Sequence, residues 1–356
     1  MKKYQVGIIG TGFGADVHAP IFKLHPGFDV KAIASVYRGK SSKLLREIEL
    51  NNIYLNWNEM LEKENLDLIV VASTPYHHYD MTLSSIQKGH HVLCEKPMGM
   101  NTSQTLIMFE EQRKSKVLGF INFQWRMTPV RKKIKELLNK KELGEIQYIK
   151  YQGSFSGYDN LSSHYRGWEG RRELGGGLLY SVGSHMIDAL MWWMEQQITD
   201  VYADLRTFIP SFCGIHGTEK RDAEDAFTIT GHFHDGTPFT VDLFTSAFRG
   251  DGWKLEIFGT KGTLIMKNDK EVLLSFGGEF QSVSIEEIAV PSQLSSPANQ
   301  YYTGLYPMID FIYKAIRNKQ IHKDLPTFSD GHQVQLVMDA INESAKNKAM
   351  TRVQST

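Results

Sequence analysis

Short apolar runs and stretches of helical period alternate through the first third of the chain. The apolar runs Gln5–Gly10, Val30–Ser35, Leu68–Ala72, His91–Glu95 and Val117–Ile121 read as strands, and the stretches near Asp16–His25, Ser41–Glu49, Tyr79–Lys88 and Thr102–Lys114 read as helices. Strands separated by helices in this way build parallel βαβ units. After about Asn122 the rhythm changes. A helix at Pro129–Asn139 and a strand at Gln147–Phe155 lead into a loop rich in glycine and aromatic residues, followed by a helix through Ser184–Trp193. Then come the strands Val201–Phe208, Ala226–Phe233, Pro238–Thr245, Trp253–Gly259 and Gly262–Lys267, with turn signals such as Asp235-Gly236 and Lys261-Gly262 between them. Consecutive strands joined by tight turns make an antiparallel sheet. Two helices, Tyr306–Arg317 and Gly331–Lys346, follow, and the second could pack on either domain. The pattern predicts an α/β chain of two domains, 1–121 and 122–356, the second an α+β domain with a large, mostly antiparallel sheet.

Composition narrows the function classes. A chain of 356 residues exceeds what one core usually serves, which agrees with two domains. Lys+Arg and Asp+Glu both number 40, so the balance makes no electrostatic case for nucleic acid or an anionic membrane. Cys94 and Cys213 are far apart and form no C-x-x-C pair, which argues against a disulfide framework or a zinc–cysteine site. The start Met1-Lys2-Lys3 precedes an apolar run too short for a secretory signal, and no stretch has the eighteen or so apolar residues of a membrane span. A cytoplasmic protein is expected.

The first strand breaks into Gly10-Thr11-Gly12-Phe13-Gly14-Ala15, a G-x-G-x-x-A turn ahead of a helix. In a dinucleotide-binding turn Gly10 permits the tight bend, Gly12 lets the backbone approach the pyrophosphate, and Ala15 lets the helix pack near the strand with its N-terminus toward the phosphates. An acidic residue that would hold the adenosine ribose belongs about twenty residues on, at the end of the second strand. That place reads Ala34-Ser35-Val36-Tyr37-Arg38, with no carboxylate. Ser35 can donate to a 2′-phosphate and Arg38 can pair with it, so NADP is expected over NAD; Ser41, Ser42 and Lys43 add to that site or cap the next helix.

Glu95-Lys96-Pro97 closes the fifth strand, where ligands of open α/β sheets lie, and Pro97 restricts the backbone of Lys96. An ammonium there can stabilise a developing alkoxide, as hydride abstraction from an alcohol requires. In the second domain Gly175-Gly176-Gly177 leads into a helix on which Ser181, His185 and Asp188 fall at i, i+4 and i+7, one face if the helix starts early enough. Histidine is suited to accept a proton near neutral pH, although a buried histidine capped by Asp188 is the plainer alternative. Val182, Met186, Ala189 and Trp193 occupy another face and look like core.

The glycine turn, Thr74-Pro75-Tyr76-His77-His78-Tyr79, Glu95-Lys96-Pro97 and Gly183-Ser184-His185-Met186-Ile187-Asp188, in that order, resemble the Gfo/Idh/MocA oxidoreductases. Phe258-Gly259-Thr260-Lys261-Gly262-Thr263-Leu264 and the Pro326…Asp330-Gly331 approach to the last helix extend the resemblance over the whole chain. It implies a Rossmann domain, an α+β domain whose open sheet commonly builds a homodimer or homotetramer, and nicotinamide-dependent oxidation of a sugar, cyclitol or related polyol. It also implies a cofactor set of Gly10, Gly12, Phe13, Gly14, Ala15, Ser35, Arg38, Ser73, Thr74, Pro75, His78, Glu95, Lys96 and Pro97. Lys96, His185, Asp188 and Tyr180 are the catalytic candidates, with Lys96, Ser181 and His185 also touching substrate.

One departure bears on the chemistry. Members similar to the inositol dehydrogenases carry aspartate four residues before the histidine, where this chain has Ser181. Asp188 then orients the ring, or Tyr180 substitutes, or the chemistry is altered. Phe123-Gln124-Trp125-Arg126 and the stretch from His164-Tyr165-Arg166 through Trp168 to Arg171-Arg172 are candidate substrate segments, since aromatic faces suit the apolar side of a sugar ring and arginine forks suit hydroxyls or carboxylates. An ordinary basic aromatic interface loop would look the same. No H-E-x-x-H motif or carboxylate cluster accompanies the His77-His78 and His90-His91 pairs, and no G-x-S-x-G elbow is present, so neither a metal site nor a hydrolase nucleophile is expected. A corepressor-like protein that binds dinucleotide and ligand without turnover, and an NAD-dependent glycosidase, are the competing readings on the same resemblance.

Overall fold

The computed structural model describes residues 3–35 and 52–354, so the helix expected at Ser41–Glu49, and with it Arg38, lies outside the described residues. The chain forms two compact units, one of Met1–Thr128 with Glu287–His332, the other of Pro129–Glu286 with Gln333–Thr356.

The first unit is built on a six-stranded sheet of β1 (Tyr4–Ile9), β2 (Phe28–Ala34), β3 (Asn52–Tyr54), β4 (Leu68–Val71), β5 (His91–Cys94) and β6 (Gly119–Ile121), in the order β3-β2-β1-β4-β5-β6. Every neighbouring pair is parallel. The central strands read as continuous apolar runs because both faces are covered: Val6, Ile8, Leu68, Ile69, Val70 and Leu93 are all fully buried. The edge strand β3 escapes a hydrophobicity reading because it is three residues long and partly exposed. The helix Asp16–His25 expected after the glycines is instead a single π-helical turn, Gly14–His18, running into α1 (Ala19–Leu24).

A single boundary after residue 121 does not describe this unit. The long helix Ala298–Asn318 buries Leu305, Met308, Ile309, Ile312 and Ala315 in the same core as Ile21, Phe22 and Phe28, and Tyr313 meets the Phe28 ring edge-on at 5.7 Å. Its apolar stripe needs a partner surface, and the one it takes is remote in sequence.

The second unit has a nine-stranded sheet of β7 (Ile146–Ser154), β8 (Ile198–Arg206), β11 (Ala226–Phe233), β12 (Pro238–Phe244), β13 (Gly252–Gly259), β14 (Thr263–Lys267), β15 (Glu271–Ser275), β16 (Gln281–Ser282) and β17 (Thr351–Arg352), in the order β16-β15-β14-β13-β7-β12-β11-β8-β17. Pairing is antiparallel except between β7 and β12, which run parallel. Alternation along the strands is clean: Phe239, Val241 and Leu243 are buried while Asp242 and Phe244 face outward. On the buried side lie the helices Pro129–Asn139 and Ser184–Met194, tied by Lys135 Nζ donating to the Trp192 carbonyl at 2.6 Å. Among the described residues no helix is long and apolar enough to cross a membrane.

Candidate functional site

In the first unit the carboxyl ends of the strands gather Gly10, Ser35, Ser73, Glu95 and Asn122 along one edge, the side where ligands of such sheets bind. Gly10 has φ +123°, and a Cβ there would stand 2.1 Å from the Ala72 carbonyl oxygen. A Cβ on Gly12 would meet nothing within 4 Å. One glycine is required by the fold, and the other leaves open the space a pyrophosphate would take. Close packing of the turn on β1 falls to Gly14, where a Cβ would lie 2.8 Å from Ile8 Cγ2, rather than to Ala15 alone, which is itself buried. These residues fit a dinucleotide.

Ser35 is buried, with its hydroxyl 3.3 Å from that of Thr11. The loop Ser73-Thr74-Pro75 after β4 and the turn Glu95-Lys96-Pro97 after β5 are braced together by His78. Its Nδ1 lies 2.8 Å from the Pro97 carbonyl oxygen and its Nε2 3.1 Å from that of Ser73. The ring is fully buried and burial holds it below the ordinary histidine pKa, so His78 braces these two loops from within rather than facing the surface. Glu95 is likewise buried, accepting from His18 Nε2 at 2.7 Å and from Asn122. His18 and Asn122 were not singled out in the sequence. The available signal was a lone histidine inside the otherwise apolar run Val17-His18-Ala19-Pro20-Ile21-Phe22.

Arg126, expected at substrate, is 5% exposed and its Nη2 donates to Asp330 Oδ1 at 2.8 Å, so this arginine is committed to an internal pair. Asp330 Oδ2 also accepts from the Thr327 amide and hydroxyl, each at 2.8 Å. Burial pushes the Asp330 carboxyl upward, but Arg126 and Thr327 outweigh it and hold the group below the usual aspartate range. A depressed folded-state pKa stabilises the protein above the unfolded value of about 4 and loses that contribution as the pH falls through the folded value. Asp330→Ala should cost about 3 kcal/mol at neutral pH, as breaking a buried pair does, and urea melts should show the gap from wild type narrowing on acidification.

In the second unit the helix carrying His185 starts differently from a plain α-helix. Leu179–Gly183 form a π-helical turn ahead of Ser184–Met194, so the i, i+4 spacing of Ser181 and His185 crosses a change of helical pitch. Single π turns of this kind are frequent at functional sites. The Ser181 hydroxyl donates to the Gly177 carbonyl at 2.8 Å. His185 and Asp188 are both nearly fully buried, and Met186, Ala189 and Trp193 are core as expected, with Val182 half-buried. Tyr180 is also buried, and desolvation pushes its phenol up to about 12, which keeps it protonated and suits it to donate rather than accept a proton.

Glu224 organises this stretch and was missed in the sequence. Its Oε1 accepts the Leu179 amide at 2.8 Å, at the first residue of the π turn, and its Oε2 lies 3.4 Å from Arg172 Nη2. A Cβ on Gly177, at φ +106°, would stand 2.3 Å from that carboxylate, which accounts for one of the three successive glycines. Burial raises the Glu224 pKa. Arg166 is lowered by burial, with Glu169, Asp225 and Glu224 in its field, and its backbone amide donates to Glu219 at 3.0 Å. The Tyr165 hydroxyl accepts from the His216 amide at 2.9 Å and donates to the Gly217 carbonyl at 2.7 Å, which ties it to the turn of the β9 (Ser211–Gly214) and β10 (Gly217–Lys220) hairpin. Trp168 and Trp125 are half-buried. Among the described residues no cluster of His, Cys, Asp and Glu could hold a metal ion.

A six-stranded parallel sheet of this order with a glycine turn after β1 defines a dinucleotide-binding α/β protein. Comparison with known proteins extends the class to a family. Residues 4–123 match the family model of an oxidoreductase family with an NAD-binding Rossmann fold, and residues 132–265 match the GFO/IDH/MocA C-terminal domain. The chain belongs to the Gfo/Idh/MocA oxidoreductases. Among its relatives, levoglucosan dehydrogenase of Pseudarthrobacter phenanthrenivorans is 22% identical, with 99% of each chain covered. Myo-inositol 2-dehydrogenase of Thermotoga maritima is 24% identical over 75% of this chain and 76% of its own. An uncharacterized oxidoreductase of Synechocystis sp. is 28% identical, covering 96% and 94%. A solved levoglucosan dehydrogenase in complex with NADH and L-sorbose superposes with a TM-score of 0.88 at 20% identity, covering all of both chains.

Proposed function

We propose that this protein is a nicotinamide-dependent dehydrogenase that oxidises a secondary hydroxyl of a sugar, cyclitol or related polyol. The observation that carries the reading is the carboxyl edge of the first sheet, where the open space at Gly12 after β1 and the turn Glu95-Lys96-Pro97 after β5 stand on the same edge with only β4 between them. The glycine turn, Ser35, Ser73, Thr74 and Pro75 hold the cofactor, which when bound supplies the hydride acceptor. Lys96 stabilises negative charge on the reacting oxygen, and His185 takes the hydroxyl proton. Asp188, buried one turn on along the same helix, orients His185. Trp168 offers an aromatic face to the ring, and Tyr180 donates a hydrogen bond.

For the cofactor we favour NADP, on the absence of a carboxylate from Ala34-Ser35-Val36-Tyr37-Arg38. Relatives solved with NADH make NAD the competitor. Fluorescence titration with both cofactors decides this. NADP should bind at least about tenfold more tightly, a preference of the size one charge-assisted contact supports, and Arg38→Ala should erase it. Equal affinities assign NAD. Absorbance at the reduced-nicotinamide band, with a panel that includes levoglucosan and myo-inositol, tests the activity. Cofactor binding without turnover on any polyol would favour the corepressor-like reading.

A further inference from the structure

Behind the Glu95-Lys96-Pro97 turn lies a buried polar group of residues that the dehydrogenase reading leaves without a role. His18 is fully buried between Val17, Ala19, Ile21 and Phe22, all likewise fully buried. A polar side chain in that place is costly unless its hydrogen bonds are well made. His18 Nε2 lies 2.7 Å from Glu95 Oε1, and the same oxygen accepts from Asn122 Nδ2. The other carboxylate oxygen, Oε2, accepts the backbone N–H of Lys96 at 3.3 Å. His18 Nδ1 has no partner among the described residues. A carboxylate only accepts, so the His18 proton sits on Nε2 and points at Glu95. The His18 ring is itself pinned, meeting the Phe13 ring edge-on at 5.3 Å, and Phe13 in turn meets Tyr301 at 4.8 Å. His18 from the π turn and Asn122 from the end of β6 thus converge on one carboxylate, whose other oxygen accepts the Lys96 amide.

We propose that His18, Glu95 and Asn122 form a positioning unit that holds Lys96 in its working place and keeps a fixed negative charge beside it. The proposal rests on the assignment of Lys96 to the reacting oxygen. His18 acts only through Glu95.

The groups facing Glu95 leave His18 in control of its charge. Cys94 is pushed up to about 12 by burial and stays a thiol, Tyr301 is raised by burial and stays a phenol, and buried His78 is held below the ordinary histidine value. Burial also pushes Glu95 itself upward. The hydrogen bond and charge of His18, the charge of Lys96 and the Asn122 hydrogen bond reverse this and hold the carboxyl below the usual glutamate range. Removing the His18 donor leaves the burial effect with less opposition, so the Glu95 pKa rises and the carboxylate is lost on the acid side at a higher pH.

The test uses His18→Phe, which keeps a ring against Phe13 but has no donor, and His18→Gln, whose amide can reach toward Glu95 in place of Nε2. Two readouts are taken on the full chain: infrared titration of the buried carboxyl band, with Glu95→Gln to assign it, and the pH profile of kcat/KM on the best polyol of the panel. His18→Phe should raise the carboxyl titration, and the acid limb of the profile with it, by about one pH unit or more, and should lower kcat about tenfold with cofactor affinity within about threefold. His18→Gln should stay near wild type on both. Wild-type titration and kcat in His18→Phe would overturn the proposal. So would equal losses in His18→Gln and His18→Phe, since a purely packing role predicts them. If no polyol turns over, the dehydrogenase reading fails while the infrared titration still decides the positioning unit; if His18→Phe does not fold, Glu95→Gln carries the kinetic test, where a kcat lowered about tenfold supports the unit and a wild-type kcat overturns it.

Discussion

Lys96→Met and His185→Ala should each lower kcat by roughly 10²- to 10⁴-fold, the range for losing a positioned general acid, base or charge stabiliser, while cofactor affinity stays within a few-fold. Methionine keeps the length and apolar stem of Lys96 and removes only the ammonium, so the loss reports charge at the reacting oxygen rather than packing. His185 is 3% exposed, and alanine in its place opens a small cavity; thermal unfolding of the same samples separates that effect from the chemistry. Tyr180→Phe should cost far less, because a phenol pushed up to about 12 by burial is a poor proton acceptor at neutral pH. Ser181→Asp completes the comparison. If Asp188 alone orients His185, a second carboxylate four residues before it should raise the His185 pKa and shift the acid limb of the pH–rate profile toward higher pH. Near-full activity in His185→Ala would remove it from the mechanism.

Gly10→Ala and Gly12→Ala should part company although they stand two residues apart. At Gly10 the methyl would have to occupy a position 2.1 Å from the Ala72 carbonyl oxygen on a backbone with φ +123°, which neither rotamer change nor small relaxation relieves. The variant should lose roughly 3 kcal/mol or more of stability and most of its dinucleotide binding, read as a lower Tm and an absent titration signal. At Gly12 the methyl points into open space. That variant should melt as wild type does and bind dinucleotide about tenfold or more weakly, because the methyl takes the room of the phosphates. A Gly12→Ala protein with unchanged affinity would move the pyrophosphate off this turn.

Much of this was written in local pattern. The strands β1, β2, β4 and β5 and the helices Thr102–Lys114 and Pro129–Asn139 were legible because unbroken apolar runs and a 3.6-residue period are local properties. So was the succession of strands from Val201 onward, although the parallel pairing of β7 with β12 was not, since no turn joins them. Glu95-Lys96-Pro97 and the glycine turn could be read at sight, for their backbone demands are met within a few residues. What surrounds them was decided only by the tertiary structure. His18 reaches Glu95 across 77 positions of chain, and nothing near either residue announces the pair. Glu224 caps the start of a π turn that lies 45 residues before it, and that turn breaks the even spacing expected of Ser181 and His185. Arg126 looked available for substrate until Asp330, 204 residues later, claimed it. The helix Ala298–Asn318 joined the first sheet rather than the second because Phe22, Phe28 and Ile21 offered its apolar stripe a surface. Hydrophobic period determines which face of an element is buried; which remote partner buries it, and which buried charge it brings along, depends on complementary shape and on the need of every buried polar group for a partner, and neither is a property of any short stretch of sequence.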